Sequence, residues 1–76
     1  MTSSDRSLSM QEAEEIARKH LESLGLAAQI ADRAVTVNRK GRAFKVVFTP
    51  PPGVRAGAFT ITVGNDGTII AQRFER

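Results

Sequence analysis

Arg42-Ala43-Phe44-Lys45-Val46-Val47-Phe48-Thr49 is the stretch that decides the architecture. Phe44, Val46 and Phe48 fall on one side of a two-residue period, and Lys45, Val47 and Thr49 fall on the other. That alternation is the signature of a half-buried strand. Residues 34–38, 58–63 and 68–74 repeat the period, so four strands are expected in succession. Arg39-Lys40-Gly41 reads as a short turn, and Gly64-Asn65-Asp66-Gly67 has the chemistry of a hairpin connection. Pro50-Pro51-Pro52-Gly53 cannot extend a ladder, because three prolines bring no backbone donors. Residues 50–57 are therefore a loop of about eight residues, longer than a tight hairpin needs.

Upstream the period changes. Ala13, Ile16, Ala17, His20, Leu21 and Leu24 recur at three- and four-residue steps, making one apolar stripe along a helix. Ser9 with Glu12 three residues on gives a capping box, and Leu8 and Ala13 occupy the staple positions. Gly25 ends the helix, with Leu26 placed to reach back to Leu21 in a Schellman cap. Glu14–Arg18 and Glu15–Lys19 are four-residue ion pairs on the solvent side. Residues 26–32 read equally as an extra helical turn or as a connection. Residues 1–8 are an expected disordered lead-in, and residues 9–76 form one domain.

Short connections join strands most simply into a meander in sequential order. The expected fold is α+β, with one N-terminal helix packed on one face of a four-stranded antiparallel meander sheet. Val35, Val37, Phe44, Val46, Phe48, Phe59 and Ile61 supply the sheet's half of the core. The opposite face is expected to carry Thr36, Asn38, Lys45, Thr49, Thr60, Thr62 and Gln72, with Val47 among them. The last strand poses a conflict, because both of its parities hold a large apolar residue. Ile69 is expected inward, which leaves Ile70 and Phe74 on the open face beside Val47.

Composition sets outer limits. Seventy-six residues make one small domain, in which a deep catalytic pocket is hard to accommodate. With no cysteine, neither disulfides nor a thiolate metal site can supplement the core. No apolar run approaches the roughly 20 residues that span a bilayer. The N-terminus is polar and lacks the apolar segment of a signal peptide, so a cytoplasmic protein with no membrane contact is expected. The net charge is +3, and Arg33, Arg39, Lys40, Arg42 and Lys45 follow one another with no acid between them.

Three segments carry a family likeness. Gln11-Glu12-Ala13-Glu14-Glu15-Ile16-Ala17 resembles the opening helix of PepSY domains with its alanine-spaced stripe. Gly41-Arg42-Ala43-Phe44-Lys45-Val46 resembles their glycine turn leading to an aromatic and a valine. Val63-Gly64-Asn65-Asp66-Gly67-Thr68-Ile69-Ile70 resembles their closing turn, where an aspartate and a glycine precede an aliphatic pair. The likeness spans most of residues 9–74 and specifies turns and core positions, not chemistry. It implies a non-catalytic module with inhibitory or regulatory binding, as proposed for domains of peptidase propeptides. Small immunity-type inhibitors of bacterial toxins share the helix-then-meander pattern and stand as an alternative.

No residue set points to catalysis. His20 is the one histidine and has no partners at metal-ligand spacing, so it reads as a boundary or core residue. Without cysteine, a nucleophile would need His20 or a carboxylate as its base, and no such grouping is visible. Gly64-Asn65-Asp66-Gly67 lacks the strand, helix and lysine of a phosphate-binding loop. Neither catalytic residue, cofactor nor metal is expected. Three binding elements are candidates. One is the open face (Val47, Thr60, Thr62, Ile70, Phe74), expected to meet another protein or a second copy. The next is a basic hairpin tip (Arg39, Lys40, Arg42, Lys45), which reads first as a solvated or internally balanced patch and otherwise suits an acidic protein or, more weakly, nucleic acid. The last is the proline loop with Val54 and Arg55 at its tip.

Overall fold

The computed structural model describes residues 8–55 and 57–75. Helix α1 (Met10–Ser23) is followed by a one-turn helix α2 (Ala27–Ile30) and four strands: β1 (Ala34–Lys40), β2 (Ala43–Thr49), β3 (Phe59–Gly64) and β4 (Ile69–Phe74). The strands form one antiparallel sheet in the order β1-β2-β3-β4. The α+β meander is the architecture the periodicity predicts. Most of the expected lead-in lies outside the described residues. Its last member, Leu8, is no lead-in: it is half-buried and packs against the core.

Local chemistry sets both ends of α1. Ser9 Oγ accepts from the Glu12 N–H at 3.1 Å, and Glu12 Oε1 accepts from the Ser9 N–H at 2.9 Å. This reciprocal capping box satisfies two donors the first turn would otherwise orphan. At the other end the Leu26 N–H donates to the Leu21 carbonyl and the Gly25 N–H to that of Glu22, both at 3.0 Å, which is the Schellman pattern. The reversal alters the expected stripe. Leu24 is the C-cap and is 48% exposed, because the chain has already turned, and Leu26 packs on the core instead. Residues 27–30 take the helical alternative, and this turn buries Ile30.

Ala13, Ala17 and Leu21 of α1 are fully buried against Phe44, Val46, Phe48, Ile61 and Val63 of the sheet, with Ile30 closing one end. Two alanines on the contact stripe let the helix sit close to the sheet. The helix packs mainly across β1, β2 and β3, leaving β4 as an edge.

Two strand details depart from simple alternation. The first turn is Gly41-Arg42, not residues 39–41, since Lys40 pairs directly with Ala43. Gly41 has φ +61° and no non-glycine residue among the described residues has positive φ, as a two-residue II′ turn requires. The second departure is a β-bulge. Thr62 pairs with Ala71 but Val63 pairs with Ile69, so Ile70 is an extra residue on β4. The bulge shifts the phase of the strand. Gln72 now stands opposite Ile61 and Phe74 opposite Phe59, both on the helix side of the sheet. The placement of Gln72 and Phe74 on the open face is thereby corrected. Ile69 and Phe74 both turn inward, which strict alternation forbids, while Ile70 lies outward over Gly64, 60% exposed.

Candidate interaction surface

The face of the sheet away from α1 is built from the outward positions of all four strands. Thr36, Val47, Thr60 and Arg73 form one cross-strand row; Asn38, Lys45, Thr62 and Ala71 form the next. With Phe74 gone to the other side, large apolar side chains on this face reduce to half-buried Val47 and exposed Ile70. The surplus of apolar surface expected there is not present. The face is instead a threonine platform with cations, and it holds a shallow depression of about 380 Å³. Lys45, Thr60, Thr62, Ala71 and Arg73 line it, together with Gln72 and Glu75.

The basic hairpin tip does not form one patch. Lys40 and Lys45 are on the open face, Arg42 is in the turn, and Arg39 is opposite Phe44 on the helix side. The Arg39 guanidinium lies 5.6 Å from the Phe44 ring centroid. Arg33, another member of the basic run, is a structural clamp. Its Nε donates to the Gln29 carbonyl at 2.8 Å, and Nη1 donates to the carbonyls of Gly57 at 2.8 Å and Phe48 at 3.3 Å. Its guanidinium stacks 4.1 Å from the Phe59 centroid. Arg18 stands over Phe48 at 5.8 Å and also pairs with Glu14 at 3.0 Å. Three arginines among the described residues are thus engaged with aromatic rings. A bare count of charges along the sequence conceals this.

The proline loop is a defined turn at its tip. The Val54 N–H donates to the Pro51 carbonyl at 3.2 Å, with Pro52 and Gly53 (φ +88°) at the centre, as in a type II turn. Val54 is 50% exposed and Arg55 is exposed, while Arg33 ties the loop's far side through Gly57.

His20 faces the edge strand, its Nε2 2.6 Å from Gln72 Oε1. The contact bridges α1 to β4 and makes His20 a boundary residue. Among the described residues no three His, Asp or Glu side chains group as metal ligands. Nor is any helix among them long and apolar enough to cross a membrane. Asp66 holds the second hairpin turn: its carboxylate accepts from the Thr68 hydroxyl and from the Thr68 N–H at 3.1 Å, which keeps its pKa below the usual carboxylate value.

Comparison with protein-family models, curated proteins and solved structures finds no match to this chain.

Proposed function

We propose that the chain is a small non-enzymatic interaction module that docks a protein partner through the uncovered face of its sheet. One observation carries the reading: a single helix covers one side of a four-stranded sheet, and the other side presents an ordered platform of threonines, cations and Val47. The resemblance to PepSY domains points the same way, since it implies inhibitory or regulatory binding. The turn at residues 51–54 offers a second contact element.

The test is comparative capture from native lysate with three proteins: the wild type, Val47→Asp with Thr60→Asp on the open face, and Glu15→Lys on the helix. The reading predicts partners retained by the wild type and the helix variant and lost by the open-face variant. Equal capture by all three would refute it.

A further inference from the structure

We propose that the depression between Lys45 and Arg73 receives the carboxylate of an aspartate or glutamate from an extended acidic segment of the partner. This rests on the docking reading above and adds the chemistry of what docks.

Charge distribution is the first support. The four strands contain Arg39, Lys40, Lys45 and Arg73 and not one acid. Arg39 belongs to the helix side, so the strand residues of the open face carry three cations with no anion among them. The helix α1 carries Glu12, Glu14, Glu15 and Glu22 against Arg18 and Lys19, on the far side of the sheet. The open face is thus basic, whereas α1 itself carries four acids against two cations. Such a face attracts an acidic surface and repels another copy of itself in a face-to-face arrangement.

Register is the second support. Lys45 on β2 stands directly opposite Thr62 on β3, and Thr60 on β3 stands directly opposite Arg73 on β4. Two cations on flanking strands thus bracket two hydroxyl groups on the strand between them. Strands two apart lie roughly 9–10 Å from one another, and the two rows are offset by about 7 Å along the strands, so a lysine and an arginine reach over one carboxylate from a diagonal separation of about 12 Å. Ala71, opposite Thr62, leaves the space that forms the depression. Arg73 Nε is 3.9 Å from Glu75 Oε2, with the two side chains 78% and 53% exposed. Such a long, solvated pair is weak and exchanges readily for a partner's carboxylate.

Aromatic placement decides against nucleic acid. The chain has four phenylalanines and no tryptophan or tyrosine. Phe44, Phe48, Phe59 and Phe74 all lie on the helix side. The open face has no ring on which a base could stack, so a single strand would be held by a few phosphate contacts alone.

The test uses fluorescein-labelled octaglutamate in fluorescence anisotropy at low salt. Binding is expected, weakening as salt rises. Lys45→Glu and Arg73→Glu are each expected to weaken it tenfold or more, and Lys19→Glu, the same charge change on the helix, less than twofold. Lys45→Gln and Arg73→Gln, with circular dichroism to confirm the fold, keep the test valid where a charge reversal disturbs folding. The proposal is overturned by absence of binding, by equal loss in Lys19→Glu, or by tighter binding of labelled octathymidylate. Lysate capture that depends on the open face while octaglutamate does not bind would sink the acidic-segment proposal alone. Capture indifferent to the open face would sink the docking reading beneath it.

Discussion

The rings of Phe59 and Phe74 meet edge to face across β3 and β4, 5.3 Å between centroids and 82° between planes. This contact exists because Ile70 is an extra residue in the β4 ladder. Without the bulge, Phe74 would share the parity of Ile70 and point away from the helix. The bulge resolves the conflict of an edge strand with apolar residues on both parities, and it leaves the open face to polar chemistry. A bulged, twisted edge is also a poor template for a further strand.

Phe74→Ala is therefore expected to destabilise the fold by about 1–2 kcal/mol, despite the residue's 43% exposure. Ile70→Thr, at the more exposed position, is expected to stay within about 0.5 kcal/mol of wild type. A Phe59/Phe74 double-mutant cycle in urea is expected to give a coupling of about 0.5–1.5 kcal/mol. A coupling of zero would contradict the pairing.

Arg33 joins α2, the end of β2 and the proline loop through three carbonyl acceptors. Arg33→Ala is expected to cost about 1–3 kcal/mol, because a guanidinium bonded to several carbonyls is lost at once. Arg33→Lys is expected to recover only part of that, since an ammonium lacks the planar fork and the stacking on Phe59. Amide hydrogen exchange at Val54, whose N–H is bonded to Pro51 within the loop, is the sharper readout, and it should quicken in both variants before global unfolding does.

The turn at Asp66 predicts a direction in pH. Hydrogen bonds from the Thr68 hydroxyl and N–H lower the carboxyl pKa in the folded state. The unfolded chain then takes up the proton first as pH falls. The turn's contribution is fully present above about pH 4 and is lost as pH drops through the folded value. Asp66→Asn is expected to flatten the acid side of the stability curve relative to wild type. A curve for Asp66→Asn parallel to wild type between pH 5 and 2 would contradict this; those limits are roughly one to two units either side of an aspartate's ordinary value.

What could be read from the sequence was local. Ser9, Glu12, Gly25 and Leu26 announce the ends of α1 because capping bonds join residues three to five apart. Phe44, Val46 and Phe48 announce β2 because alternation is a property of the strand itself. The face of Phe74 is not local. It depends on how Ile69, Ile70 and Ala71 register against Val63 and Thr62, a cross-strand relation that β4's own pattern does not contain. The roles of Arg33 and Arg39 were hidden for the same reason, since a run of cations does not say which will stack on a ring. Ile30 gives no signal in the sequence, because a single buried residue in a four-residue turn has no period. The open face, as a consequence, turned out basic and hydroxyl-rich where apolar surface was expected.

The most direct test of that face is amide chemical-shift mapping of the ¹⁵N-labelled protein during titration with octaglutamate. An acidic peptide held on the open face shifts Lys45, Thr60, Thr62, Ala71 and Arg73 and leaves α1 unmoved. Perturbations centred on α1 or on the 50–57 loop, with those five positions silent, would contradict it.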